Sequence, residues 1–195
     1  MNPWKLTDSA EYLKQNPHAH AILGDVPLHD VWCLDLPGGG DGRTVSDIRA
    51  LAAQSRPSGL ARLLFSIRWK LGRVFGWDQK KESGDVMFAS RITQEDRDHS
   101  SVASGTTDGP FTVLYVHPME AISEIRNATV HAALVTLLKR QGTGYRLLWA
   151  IYVEPVGKLT GFYMRLIEPF RRWIVYPSLL RNLHRAWSNT YASAV

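Results

Sequence analysis

The sequence predicts a single α+β domain in which a curved antiparallel sheet wraps around a long C-terminal helix. Two features of the chain carry this prediction. Segments with strand-like patterning fill the middle of the chain, and residues 141–144, Gln-Gly-Thr-Gly, form a short hairpin turn between the last two of them. From residue 159 onward, apolar residues recur at steps of three and four, which is typical of an amphipathic helix.

The N-terminal third of the chain predicts helices and one strand. Residues 8–15 predict a short helix, and residues 31–36, Val-Trp-Cys-Leu-Asp-Leu, predict a strand. Residues 44–54 predict a helix that Thr44 caps. A further helix is predicted at residues 60–76, where leucines follow one another at helical spacing.

Strands dominate the middle of the chain. Five of them are predicted, at residues 86–93, 111–117, 121–126, 129–140 and 145–154. Residues 94–110 are predicted to be a polar loop, because they end in the turn signal Asp-Gly-Pro. In the last strand, alternate residues fall on opposite faces, and the continuously apolar set should face the core. That set is Leu147, Trp149, Ile151 and Val153.

The predicted C-terminal helix carries an apolar stripe that can cover one face of the sheet. The stripe consists of Phe162, Leu166, Phe170, Trp173, Pro177, Leu180, His184, Trp187 and Tyr191. Pro169 and Pro177 should each kink or interrupt the helix, because proline removes a backbone donor.

The composition fits one globular domain. With 195 residues, of which 45% are hydrophobic, the chain has enough apolar material for a core. We expect residues 1–28 to be an N-terminal extension and residues 29–193 to be a single domain. The net charge of +5 is modest and no block of five like charges occurs, so a nucleic-acid partner is not expected. The sequence leaves the oligomeric state open.

Cysteine usage and hydropathy predict a cytoplasmic protein. A lone Cys33 can make neither an internal disulfide nor a cysteine metal cage, which favours a reducing compartment. The N-terminal segment has no apolar h-region, so a signal peptide is not expected. The longest apolar runs are about six residues, far short of the ~20 that a membrane helix needs.

No group of residues in the sequence predicts catalysis, a metal site or a cofactor. His18 and His20 would share one face of a strand, as metal ligands can, but a metal site needs three or four ligands with supporting bonds. The glycine-rich loop at residues 38–44 lacks the Gly-Lys-Ser/Thr ending of a phosphate-binding loop, so we interpret it as a connector. Residues 95–100 hold acid, base and nucleophile types, but a triad needs groups that converge in space, so we interpret them as a solvated loop.

Two segments carry a resemblance to a known family: residues 124–132, Glu-Ile-Arg-Asn-Ala-Thr-Val-His-Ala, and residues 163–172, Tyr-Met-Arg-Leu-Ile-Glu-Pro-Phe-Arg-Arg. They resemble a bacterial family of unknown function in the START-like, or birch-pollen-allergen-like, helix-grip superfamily. The similarity runs from about residue 31 to residue 187, and Tyr-x5-Pro-Phe-x-Arg is its most specific part. The resemblance implies the helix-grip fold with room for an internal cavity, and it implies no reaction. In the resembling family a His usually follows this Pro-Phe, whereas this chain has Arg171, so the resemblance implies no role for a His at this position.

Three functional hypotheses follow from the fold and from the aromatic residues, which either fill a core or line a cavity. The first is a binding domain that holds a small hydrophobic or amphipathic molecule between the sheet and the C-terminal helix. Its expected lining residues are Glu124, Arg126, His131, Trp149, Tyr152, Tyr163, Trp173 and Trp187. Glu124 or Arg126 would anchor a polar head group. The second hypothesis is a cyclase- or hydrolase-like enzyme on the same fold, and the third is a protein-interaction domain with a filled core.

Overall fold

The computed structural model describes residues 3–54, 87–126, 131–155 and 168–192. In these residues, seven strands form one antiparallel sheet in the order β1-β2-β7-β6-β5-β4-β3, and the sheet is curved and unclosed. The strands are β1 (Trp4–Thr7), β2 (Leu28–Leu36), β3 (Thr107–Asp108), β4 (Phe111–Val116), β5 (Glu120–Arg126), β6 (His131–Gln141) and β7 (Gly144–Glu154). The helices are α1 (Ser9–Leu13), α2 (His18–Leu23), α3 (Val45–Gln54), α4 (Gln94–Asp98) and α5 (Tyr176–Trp187). A C-terminal helix of 25 residues, 168–192, contains α5, and the predicted α+β helix-grip-like fold is confirmed.

Each face of the sheet packs against a different set of helices. The C-helix face packs against α3 and α5, and its strand residues include Trp32, Leu34, Leu147, Trp149 and Ile151. The N-helix face packs against α1, α2 and the segment that begins at residue 87. Its strand residues include Val31, Cys33, Leu148, Ala150 and Tyr152. The two sets alternate along β2 and β7, as the pleat of a strand requires.

Residues 3–28 pack into the same domain. β1 pairs with β2, and Trp4 lies opposite Leu34. α1 begins at its cap Asp8, whose Oδ1 accepts the Ala10 N–H at 2.9 Å. α2 then buries its apolar side against the N-helix face. The segment predicted to be an extension therefore supplies one strand and two short helices to the sheet and its covering.

The C-terminal helix widens where proline interrupts its hydrogen bonds. Arg171–Val175 forms a π-helical turn, and the Tyr176 N–H bonds to the Arg171 carbonyl. Pro177 follows at the start of α5 and cannot donate to the Trp173 carbonyl. The interruption predicted at Pro177 is therefore a wide turn within a continuous helix. Neither this helix nor any other in the described part of the chain is long and apolar enough to cross a membrane.

Two predictions between α3 and β3 are wrong. The described part of the predicted strand at residues 86–93 forms a 3-10 turn, Phe88–Arg91. The predicted loop at residues 94–110 contains α4, because the Asp96 N–H donates to Thr93 Oγ1 and the Thr93 N–H donates to Asp96 Oδ2 at 3.0 Å. This reciprocal capping box starts a helix that hydrophobic alternation does not reveal. The helix predicted at residues 60–76 lies outside the described residues.

The glycine-rich loop that follows β2 packs against the end of the C-terminal helix. Trp187 Nε1 donates to the Pro37 carbonyl at 2.9 Å. Gly39 has a φ of +100°, and a Cβ there would lie 2.8 Å from Trp187 Cζ2. Only glycine suits this position, because it tolerates both the left-handed backbone and the close approach of the indole.

Candidate functional site

The structure distributes the expected lining residues over both faces of the sheet. Trp187 lies in the core of the C-helix face, and Trp149 is partly buried and packs against that core. The N-helix face carries four others: Glu124, Arg126, His131 and Tyr152. Because side chains alternate along β7, Trp149 and Tyr152 cannot line the same side of the sheet. Tyr163 lies outside the described residues.

The two tryptophans of the C-terminal helix have opposite environments. Trp187 is fully buried and packs edge-to-face on Tyr145, with 5.6 Å between ring centroids. Trp173 is 74% exposed, so the expectation that it faces the sheet is wrong. The π-helical turn explains the difference, because it adds a residue to one turn and moves the preceding residues out of register with the stripe of α5.

The middle of the sheet is less completely covered on its C-helix face than on its N-helix face. On the C-helix face, four side chains near the centre are only partly buried, namely Ile125, Leu134, Thr136 and Trp149. Ser123 and Ile151, the cross-strand partners of Leu134, are buried. The neighbours of the four side chains on the N-helix face are fully buried: Ile122, Ala133, Val135 and Ala150. Thr136 lies directly opposite Trp149 across β6 and β7. The C-helix face therefore keeps accessible, mostly apolar surface at the centre of the sheet.

A charged cluster lies on this face, where β2 meets the start of the C-terminal helix. Arg171 Nη2 donates to Asp30 Oδ2 at 3.2 Å and to the Tyr176 hydroxyl at 2.7 Å. The Tyr176 ring contacts the Trp32 ring, with 5.3 Å between centroids. The side chains of Arg171 and Asp30 are only 14% and 19% exposed. An ion pair that is buried to this extent needs further hydrogen bonds to offset its lost hydration.

Three buried polar atoms of this face have no hydrogen-bond partner in the described part of the chain: Asp30 Oδ1, Trp32 Nε1 and Trp149 Nε1. Trp32 and Trp149 are cross-strand partners, and Asp30 lies two residues before Trp32 on the same strand. Cross-strand partners have Cβ atoms about 5 Å apart, so one small polar group can reach more than one of these side chains. Buried polar atoms are nearly always bonded, so the three atoms indicate a place for water or for a ligand.

The surroundings of this cluster shift the pKa values of its acids. Burial raises the pKa of the Asp30 carboxyl, and the Arg171 guanidinium opposes that rise only in part. The Trp32 indole N–H also lowers the pKa of Asp30, although it does not reach hydrogen-bond geometry. Burial raises the pKa of Tyr176 to about 12, so its phenol keeps its proton at neutral pH. Desolvation is thus the largest influence on the pKa values of Asp30 and Tyr176.

A second polar cluster lies on the N-helix face. His131 Nε2 is 2.5 Å from Glu124 Oε1, and His131 Nδ1 is 2.6 Å from Glu154 Oε2. Phe88 stacks on the imidazole at 3.8 Å, and its backbone N–H donates to Glu124 Oε1 at 2.9 Å. Both ring nitrogens of His131 are engaged and the side chain is 2% exposed. This arrangement fastens the segment after residue 87 to three strands and leaves no imidazole nitrogen for a substrate.

The polar pair expected at Glu124 and Arg126 is arranged differently. Glu124 bonds to His131, whereas Arg126 Nη1 lies 3.4 Å from Met87 Sδ. Both side chains are on the opposite side of the sheet from the C-terminal helix. The polar groups that border the accessible surface are those of Asp30 and Arg171 instead.

The histidines considered as metal ligands lie on α2 and not on a strand. His18 Nε2 is 2.7 Å from Asp96 Oδ1, and His20 Nδ1 is 3.2 Å from the Tyr152 hydroxyl. Residues two apart on a helix point in different directions, which separates their imidazoles. Among the residues that the structure describes, no group of three or more His, Cys, Asp or Glu could hold a metal ion.

Sequence reasoning missed Asp30 and Trp32 as members of one site. The strand was predicted to begin at residue 31, and a bulge between Leu28 and Asp30 disturbs the alternation just before it. The available signal was an acidic residue two positions from a tryptophan at the start of an apolar strand. That pattern places a carboxylate and an indole side by side on one face.

The chain resembles one described family of proteins. Residues 22–178 match the sequence profile of a family described as "Protein of unknown function (DUF2867)". The matched stretch includes Asp30, Trp32, Trp149, Arg171 and Tyr176. No curated protein and no solved structure matches the chain. Because the match extends over more than half of the sequence, the protein belongs to the DUF2867 family of unknown function.

Proposed function

We propose that this protein binds a small apolar or amphipathic molecule between the central strands of the sheet and the C-terminal helix. The partial exposure of Leu134, Thr136 and Trp149 carries the proposal, because side chains at the centre of a filled core would be fully buried. Val135, on the other face of the same strand, is fully buried and provides that reference. A ligand that covers this surface gains about 25 cal/mol for each Å² of apolar area removed from water.

The polar groups at the start of the C-terminal helix support an amphipathic ligand. Asp30 and Arg171 lie on the same face as Trp149. Asp30 Oδ1, Trp32 Nε1 and Trp149 Nε1 have no hydrogen-bond partner in the described part of the chain. Binding sites for small molecules combine apolar walls with a few polar groups that fix orientation. A molecule whose apolar part lies over Trp149 and Thr136 would therefore direct its polar end toward Asp30.

The fold also supports finer proposals about the family. The antiparallel sheet and the C-terminal helix are compatible with membership of the START-like helix-grip superfamily, to which we assign it. The resemblance in residues 124–132 and 163–172 supports a bacterial source. A lone, buried Cys33 supports a reducing cytoplasm. The cyclase- or hydrolase-like alternative gains no support from His131, whose two nitrogens are both engaged.

Titration with Nile red, an uncharged dye that fluoresces in apolar surroundings, tests the proposal. We expect saturable binding with one dye molecule for each chain. Thr136→Phe fills the surface opposite Trp149 and should weaken binding at least tenfold, whereas the isosteric control Thr136→Val should keep it. If no saturable binding occurs, or if a folded Thr136→Phe variant binds as the wild type does, the proposal fails.

A further inference from the structure

We infer that the polar end of the bound molecule is an uncharged hydroxyl group. The inference rests on the proposed function and names the ligand chemistry that the site selects. It starts from the unpaired atoms of the C-helix face, which are one acceptor, Asp30 Oδ1, and two donors, Trp32 Nε1 and Trp149 Nε1. A ligand group that satisfies these three atoms must both donate and accept hydrogen bonds.

A hydroxyl is the simplest single group that does both. Its O–H donates to Asp30 Oδ1, and its oxygen accepts from the Trp149 or Trp32 indole N–H. A carboxylate accepts from the indoles but has no proton for Asp30. An ammonium donates to Asp30 but has no lone pair for an indole. An ether oxygen accepts and cannot donate.

The charges of the site favour the same head group. Arg171 already neutralises Asp30, so the pair is balanced before a ligand arrives. Glu168, in the first turn of the C-terminal helix, acts electrostatically on both members of the pair. An anionic head would be repelled by the two carboxylates, and a cationic head would compete with a guanidinium that is held in place by the Tyr176 hydroxyl. An uncharged head avoids both penalties.

Four probes with the same eight-carbon chain test whether the head group must donate a hydrogen bond, accept one and be uncharged. They are 1-octanol, octanoate, protonated octylamine and methyl octyl ether. We expect 1-octanol to bind about tenfold or more tightly than each of the other three, because each of them leaves a buried donor or acceptor unpaired. The indole N–H signals in ¹H–¹⁵N NMR spectra report the contact. The Trp149 and Trp32 signals should shift with 1-octanol, whereas the Trp187 signal should not, because Trp187 Nε1 is already bonded to Pro37.

Substitutions at Asp30 locate the head group. Asp30→Asn places an amide donor where the unpaired acceptor was, so the preference for 1-octanol over methyl octyl ether should disappear. Asp35→Asn is the matched control, since Asp35 lies on the same strand and pairs with Arg146 away from the site. That control should keep the preference. In case Asp30→Asn does not fold, Trp149→Phe removes one donor. It should reduce the affinity for 1-octanol, octanoate and the ether, which all accept from an indole, more than the affinity for protonated octylamine, which cannot.

The outcomes distinguish this inference from the proposed function. Octyl probes that bind equally well whatever their head group overturn the inference and leave the proposed function standing. Binding of Nile red without binding of 1-octanol also overturns the inference alone. Unchanged Trp149 and Trp32 signals at saturating 1-octanol would mean that the polar atoms hold water only, which overturns it as well. Absence of binding by every probe, Nile red included, overturns the proposed function together with the inference.

Discussion

Arg171 Nη2 lies 3.2 Å from Asp30 Oδ2, and this contact ties the first turns of the C-terminal helix to strand β2. The same guanidinium holds the Tyr176 hydroxyl through two hydrogen bonds. A planar guanidinium can reach two acceptors at once. Arg171 therefore fixes the position of the helix at the border of the proposed ligand surface.

Removing this guanidinium should destabilise the protein strongly. Arg171→Met leaves the Asp30 carboxylate buried without its partner, which we expect to cost about 3 kcal/mol of unfolding free energy. Arg140→Met is the matched control, because Arg140 pairs with Asp41 on the surface and should cost under about 1 kcal/mol. Urea denaturation at pH 7 measures both. Equal, small losses in the two variants would show that the Asp30–Arg171 pair does not hold the helix.

The two faces of β6 should respond differently to an added ring. Val135 is fully buried on the N-helix face, so Val135→Phe should cost about 1–3 kcal/mol or more through overpacking. Leu134 is partly exposed on the C-helix face, so Leu134→Phe should cost under about 1 kcal/mol. Thermal unfolding of the two variants side by side measures the difference. A Leu134→Phe cost as large as that of Val135→Phe would mean that the C-helix face has no room.

Alanine substitutions at the adjacent Gly39 and Gly40 compare a position where a new Cβ meets a neighbouring ring with one where it meets nothing. Gly40→Ala adds only the cost of a left-handed residue, roughly 1–2 kcal/mol, because nothing lies within 4 Å of its Cβ position. Gly39→Ala adds backbone strain at a φ of +100°, which lies farther from the left-handed α region than the +64° of Gly40, and it also places a Cβ 2.8 Å from Trp187 Cζ2. We expect Gly39→Ala to lower the unfolding free energy clearly more than Gly40→Ala in urea denaturation. Equal losses would show that the loop does not clamp Trp187.

Asp96 should make part of the unfolding free energy depend on pH in the acid range. Burial alone would raise the pKa of Asp96, but hydrogen bonds from Thr93 and His18 bring it below its ordinary value of 3.8. A lowered folded-state pKa means that this stabilisation is complete above about pH 4 and is lost as the pH falls below it. Asp96→Asn should therefore cost about 1 kcal/mol at pH 7 and progressively less below pH 4. Asp98→Asn, on the exposed side of α4, should cost little at either pH, and a pH-independent loss in Asp96→Asn would contradict this assignment.

The architecture could be predicted because its signals are local and periodic. The long strands β6 and β7 are apolar over most of their eleven residues, and the amphipathic pattern of α5 fixes the side that Trp187 presents to the sheet. The short elements α4 and β1 escaped prediction because their causes are not periodic. α4 depends on the reciprocal bonds of Thr93 and Asp96, and β1 depends on pairing with a strand more than twenty residues away.

The candidate site could be predicted only in part. Trp149 was assigned to the face that the helix covers, and the structure places it there. The partnership of Asp30 with Arg171 joins residues 141 positions apart, which no local pattern reveals. The prediction that Trp173 faces the sheet fails because helical periodicity assumes an uninterrupted α-helix, and the chain forms a π-helical turn at Arg171–Val175.

The location of a bound molecule is the most direct test of the central claim. Isotope-filtered NOE spectroscopy on the Nile red complex reports which protein protons lie within about 5 Å of the dye. We predict contacts from the dye to the methyl groups of Leu134 and Thr136 and to the Trp149 indole, all on the C-helix face. Contacts confined to N-helix-face residues such as Ile22 or Leu28 would contradict the account.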